Sequence, residues 1–280
     1  MSALTIAKKE FKDGIRSRSL LVLVPLFGLL MAGAAYFFTE IAPLGGSDDP
    51  RTKTVILSLF VPTYIALPII GTMLGYKSIS GERELGSLKF LLGLPHTRRD
   101  VVLGKLAGLS GIMIVAVISG FAVGGVALFT LHGTFRLGDY VALMSVAIVL
   151  GVVFVSIAIA FSSAVRSSTV ATAGAITLVL IFLFLWDGFL TVVAHFAGEL
   201  SFVESSTVQS AEWYLFLQYL NPAIAYQGAV AALLDMRGGP TSVLANPPFY
   251  LEEWFGFVIL AFWLAVPIGL SYLRFRRTDL

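Results

Sequence analysis

The sequence predicts an all-α, polytopic membrane protein with six transmembrane helices. Composition, the lengths of its apolar runs and the placement of its basic residues carry that reading. Of 280 residues, 57% are hydrophobic and 13% are charged, about half the charged share of a soluble domain. A helix needs about 20 mostly apolar residues to cross the hydrocarbon core. Uncharged runs of that order occur at Ser19–Thr39, Thr54–Tyr76, Leu106–Phe135, Tyr140–Val165, Ser167–Trp186 and Phe255–Leu273.

Basic residues set the expected orientation. With six spans and a cytoplasmic N-terminus, the inner segments hold fifteen of the 19 Lys and Arg residues. Only Arg51, Lys53, Arg136 and Arg237 fall outside. A seventh uncharged run, Trp213–Leu234, is interrupted by Gln218, Asn221-Pro222 and Gln227. Counting it as a span would carry Arg274, Arg276 and Arg277 to the outer side, so it is expected to be external or re-entrant. Both termini are then cytoplasmic, in a multi-pass protein of the plasma (inner) membrane.

The whole chain, 1–280, reads as one transmembrane domain. Residues 1–18 form an N-terminal interfacial helix, with Leu4, Ile6, Ala7, Phe11 and Ile15 set among Lys8, Lys9, Glu10 and Lys12. A cleaved signal peptide is the rival reading, since Ala32-Gly33-Ala34 resembles a cleavage site. The acids Glu10 and Asp13 and the long apolar run argue against it. Residues 77–105 form a charged cytoplasmic loop, and residues 195–254 a long extracytoplasmic segment. Long connections of this kind are where function concentrates.

Within the inner loop, Ser80 is an expected helix N-cap with Glu82 and Glu84 in the first turn, where the helix dipole favours acids. Leu85, Leu88, Leu91 and Leu92 recur at helical spacing before Gly93 and Pro95 stop the helix. The expected element is an amphipathic helix, Glu82–Leu92, parallel to the membrane, followed by the basic turn Arg98-Arg99. It reads either as a positive-inside surface anchor or as a docking helix for a cytoplasmic partner.

The loop resembles the coupling region of ABC-2 type transporter permeases. Gly81, Glu82, Arg83, Glu84, Gly86, Leu91, Leu92, Pro95, Arg98, Gly104 and Lys105 stand in that family's order. Ser87 occupies a position where Thr is usual. Tyr219-Leu220-Asn221-Pro222 through Tyr226 is also similar to the NosY-like group of the family. The resemblance implies a cytoplasmic coupling helix on a separate ABC-type ATP-binding subunit, and a second permease subunit as homodimer or heterodimer partner. It implies ATP-driven transport, leaning towards export. The expected coupling residues are Glu82, Glu84, Leu85, Gly86, Leu88, Leu91, Pro95 and Arg98, with the two acids as electrostatic contacts. Arg98 and Arg99 are equally suited to anionic lipid headgroups.

Other classes fare less well. No Walker motif is present; the nearest sequence, Gly71 to Ser78, has the wrong spacing. No cofactor is expected, and ATP chemistry falls to another chain. Zero Cys removes thiol chemistry, and a net charge of +2 does not suggest nucleic acid. An ion- or proton-coupled carrier should hold ionisable groups mid-membrane, yet the spans hold little beyond Asp187, expected at the outer interface. A membrane scaffold docking a different partner is the other alternative. Gly108-Leu109-Ser110-Gly111 invites a serine protease reading, but the topology puts Ser110 and His195 on opposite faces. His96, His132 and His195 likewise cannot converge on a metal. The pairs Gly71/Gly75, Gly104/Gly108 and Gly120/Gly124 each permit close helix packing, expected mainly within the subunit. Pro62 and Pro68 are expected to kink the second span.

Overall fold

In a computed structural model, residues 3–41, 57–86, 97–201, 208–236, 244 and 246–276 are described. Among them the chain is helical, without strands. Helix α1 (Ala3–Ile15) leads into α2 (Arg18–Tyr36), which ends in one π-helical turn, Phe37–Ile41. Helices α3 (Phe60–Gly75) and α4 (Ser80–Glu84) precede the two long helices α5 (Arg98–His132) and α6 (Leu137–Ala164). Helix α7 (Ser168–Leu180) continues through a π-helical turn, Ile181–Leu185, into α8 (Trp186–Ser201). The short helices α9 (Glu212–Tyr219) and α10 (Pro222–Leu233) come before the last, α11 (Phe255–Arg276).

Four stretches are long and apolar enough to cross a bilayer: α5, α6, the α7–α8 rod and α11. The pair α1–α2, bent by 70°, makes a fifth if counted as one span. The expected second span corresponds to α3, whose 16 residues fall short of the usual crossing length of about 20. The described residues therefore give four or five candidate spans where the sequence predicts six. Part of the expected second run, residues 54–56, lies outside them.

Helix α6 is the central strut. Its residues from Val153 to Ile159 are all buried, because α3, α5, α10 and α11 pack around it. Lipid is as apolar as leucine, so contact between spans rests on shape and on polar ties. Glycine supplies the shape: a Cβ on Gly71 would stand 2.7 Å from the Gly151 carbonyl, and one on Gly75 2.6 Å from the Ala158 Cβ. Helix α2 lays Phe27 over Gly120 and Met31 over Gly124. Polar ties include Tyr140 Oη donating to the Phe121 carbonyl and Ser156 Oγ donating to the Leu264 carbonyl at 2.9 Å. Pro62 lies in the first turn of α3, where no intrahelical N–H bond is lost, so only Pro68 interrupts that helix's ladder.

The run Trp213–Leu234 is broken at Asn221-Pro222, and neither half is long enough to cross. Pro222 opens α10 at its first turn and Asn221 caps it, accepting from Ala223 N at 2.8 Å. Asn221 Nδ2 also donates to the Phe182 carbonyl at 2.7 Å, inside the π turn joining α7 and α8. Trp263 Nε1 donates to the Leu220 carbonyl at 2.8 Å. Tyr226 stacks on Phe60 and shares a 2.8 Å hydrogen bond with Thr63. These ties fold the broken helix into the bundle, where α10 is largely buried.

Candidate functional site

The charged loop and the helix starts around it meet at one end of the bundle. Helix α5 begins with a capping box. Thr97 Oγ1 accepts from Asp100 N at 3.1 Å, while the Asp100 carboxylate accepts from Thr97 N at 3.1 Å. Arg98 and Arg99 therefore belong to the first turn of α5, not to a separate basic turn. Gly104 and Gly108 follow on one face and receive α1, whose Ile6 and Ala7 are buried there. The amphipathic face of α1 thus packs on α5 through its small residues.

That close approach places Glu10 of α1 on Lys105 of α5. Lys105 Nζ lies 2.8 Å from Glu10 Oε1 and 2.9 Å from Glu82 Oε1 of α4, and only 1% of its side chain is exposed. Lys9 lies 3.8 Å from the same Glu82 oxygen. Two carboxylates balance two ammonium groups, which a buried cation requires.

The next two residues of α4 reach the other side of the bundle. Arg83 Nη1 donates to the Val165 carbonyl at 3.1 Å, just past the end of α6. Glu84 accepts from Ser168 N at 2.9 Å, at the first residue of α7. Backbone N–H groups of Ile79 and Ser80 donate to Ser162 Oγ at 3.1 and 3.0 Å. Four parts of the chain, α1, α5, the α6–α7 junction and α4 itself, are joined through three consecutive side chains.

The expected helix Glu82–Leu92 differs from the observed one. Helix α4 starts at Ser80, with Ile79 in the cap position, and ends after Glu84. Gly86 has φ +72° and its N–H turns back to the Arg83 carbonyl at 3.2 Å. A left-handed glycine is a helix stop, and the leucine periodicity overrode that signal. Ser80 is not a cap but a buried contact of Ser162. Leu85 is 84% exposed. Leu88, Leu91 and Pro95 lie outside the described residues. Lys105, Glu10 and Ser162 were not among the expected site residues; a lysine at the edge of an apolar run was the available signal for the first.

Hydrogen bonding from Ser168, aided by the nearby Lys77, holds the Glu84 carboxyl below its ordinary value. A carboxyl depressed by folding stabilises the fold above its unfolded value and loses that contribution as pH falls through the folded one. Protection of the Ser168 amide from hydrogen exchange is accordingly expected to be high at neutral pH and to fall on acidification. Glu84→Ala should show low protection throughout. Equal protection in both proteins at neutral pH would refute the tie.

The other candidates are dispersed. Ser110 lies on α5, and exposed His195 pairs with Glu199 at 3.3 Å on α8. Asp187 is exposed, 19 residues into the α7–α8 rod, or about 28 Å along it, close to one hydrocarbon thickness. Among the described residues no group of three or more His, Asp or Glu side chains is placed to hold a metal.

A bundle of apolar helices with a paired charged hub at one end defines a polytopic helical membrane protein whose specific chemistry sits outside its spans. The family model described as ABC-2 family transporter protein matches residues 4–280, and the chain belongs to that family. It is 31% identical over 281 residues to a probable ABC transporter permease protein NosY of Pseudomonas aeruginosa, covering 98% of this chain and 97% of the relative. A protein of the same name from Stutzerimonas stutzeri is 29% identical over 278 residues, covering 97% of each. The chain is thus the multi-pass membrane subunit of an ABC transporter, in a family whose partner is an ATP-binding cytoplasmic subunit.

Proposed function

We propose that this permease is non-catalytic and is driven by a separate ATPase chain bearing on α4 and the residues after it. The observation that carries the reading is the fan of contacts from Glu82, Arg83 and Glu84. A push on α4 would reach α1 and α5 through Lys105, α6 through Val165 and α7 through Ser168. A short helix tied to several spans is suited to convert one displacement into a concerted shift. ATP can drive that shift only by binding one state of the ATPase pair more tightly than the other.

Two permease copies, or this one and a paralogue, would form the membrane part, each with six spans, cytoplasmic termini and an extracytoplasmic segment at 195–254. The α7–α8 rod, the least buried of the four span candidates, leaves surface for a second permease or for lipid. Export is the direction favoured by the family resemblance.

Glu82 is committed to Lys105, so the docking surface moves to the outward residue Leu85, with Gly86, Leu88, Leu91, Pro95 and Arg98 following. Leu85→Asp is expected to reduce co-purification of the ATPase at least tenfold while the permease still inserts. If co-purification remains stoichiometric in Leu85→Asp combined with Leu88→Asp, the docking assignment is wrong. The chain lacks Cys, so single cysteines at Ser87 and Ser205 also test orientation; they should label from inside and outside respectively.

A further inference from the structure

Arg83 uses one nitrogen on Val165, yet its Nε and Nη2 are buried without a hydrogen-bond partner. Both nitrogens belong to a residue that lines a cavity of about 760 Å³ between α4, the end of α6 and α11. Arg166 and Arg274 line the same cavity, as does Ser271, whose buried Oγ also has no partner. Among the described residues, its lining includes no carboxylate. Burial, and then the cations Arg166, Arg274 and Arg98, push the Arg83 guanidinium below its ordinary value. Like charges gathered around buried, unpaired donors are costly unless an anion is shared among them.

The position of the cavity narrows the anion. Arg166 lies in the turn between two span candidates, and Arg274 closes the last one. Leu270 and Leu273, 59% and 49% exposed, continue the lining along α11. Guanidinium groups match phosphate oxygens in fork geometry, while the leucines offer an apolar track for an acyl chain. We propose that this cavity is a binding site for an anionic phospholipid, its phosphate shared by Arg83, Arg166 and Arg274 with Ser271 donating, and its chain lying on Leu270 and Leu273. A lipid held there would join α4 to α11. The site depends on the membrane location and not on the identity of the ATPase.

The test is lipid retention by the purified full-length permease, read by native mass spectrometry after titration with phosphatidylglycerol or phosphatidylcholine. Removing a guanidinium at the membrane surface is expected to weaken phosphatidylglycerol about fivefold per charge. Arg166→Gln with Arg274→Gln should therefore lose it about 25-fold, with phosphatidylcholine unchanged. Arg166→Gln alone, at an exposed turn, keeps the test open should the double variant fold poorly. Its expected loss is about fivefold, and millimolar inorganic phosphate should not compete with the lipid. Equal retention by wild type and Arg166→Gln would overturn the proposal. Displacement by inorganic phosphate would overturn the lipid assignment in favour of a soluble anion. Unchanged lipid binding with loss of ATPase co-purification would overturn it in favour of a protein contact.

Discussion

Replacing Lys105 with methionine is expected to destabilise the permease by about 3–5 kcal/mol, the cost of breaking a buried ion pair from one side. Lys105 is 1% exposed and is the cation within 3 Å of both Glu10 and Glu82. Without it, two carboxylates from different helices face each other, with Lys9 3.8 Å from the Glu82 carboxylate. Relief is expected from neutralising them: Lys105→Met with Glu10→Gln and Glu82→Gln should recover most of the loss. That non-additivity separates a charge network from simple packing. Thermal unfolding in detergent reads the stability, and thiol labelling of a single cysteine at Ile6, 2% exposed against α5, reads release of α1. If Lys105→Met unfolds within measurement error of wild type, the hub does not hold the end of the bundle together.

The second large effect is expected at Gly108. A Cβ there would stand 2.6 Å from the Glu10 Cβ and 2.8 Å from the Ala7 carbonyl, so α1 has to move. Gly108→Ala is expected to cost about 1–3 kcal/mol, typical of overpacking, and larger residues should detach α1 altogether. Gly104→Ala should behave alike, since its Cβ would meet the Ile6 Cβ at 2.7 Å and the Ala3 carbonyl at 2.8 Å. Gly33 of α2 is the control. Nothing lies within 4 Å of a Cβ there, and alanine is favoured over glycine in a helix interior by about 0.5–1 kcal/mol. A fall in Gly108→Ala no greater than in Gly33→Ala would show that α1 is not seated by these glycines.

These two sites are coupled. Displacing α1 carries Glu10 away from Lys105, so Gly108→Ala should also weaken the hub's hold on α4. Combining Gly108→Ala with Lys105→Met is therefore expected to cost less than the two separate losses together.

Apolar runs bounded by charge located α5, α6, α11 and the start of the α7–α8 rod, because chain length and hydropathy alone decide what can lie in hydrocarbon. The break at Asn221-Pro222 was equally legible, since proline favours a helix's first turn and asparagine its cap. The stop at Gly86 was not read. A glycine's left-handed backbone leaves no mark in a leucine pattern, and the periodicity of Leu85, Leu88 and Leu91 continues through it. The rod running on to Ser201 was missed for a related reason: Asp187 ends the uncharged run but not the helix.

By itself the sequence determined the membrane class, the helical fold, the family and the segment that carries the charged chemistry. Only the tertiary structure decided where each charge of that segment points. Glu82, Arg83 and Glu84 are neighbours in the chain, yet they serve Lys105, Val165 and Ser168 on three different elements. Five helical residues fix no face in advance; the faces are set when helices converge from far apart in the chain. Glu10 meets Lys105 because two glycines let α1 come close, and Arg83 meets Arg166 and Arg274 because α6 and α11 end at the same level. Such meetings depend on helix position in space, which periodicity within one helix does not encode.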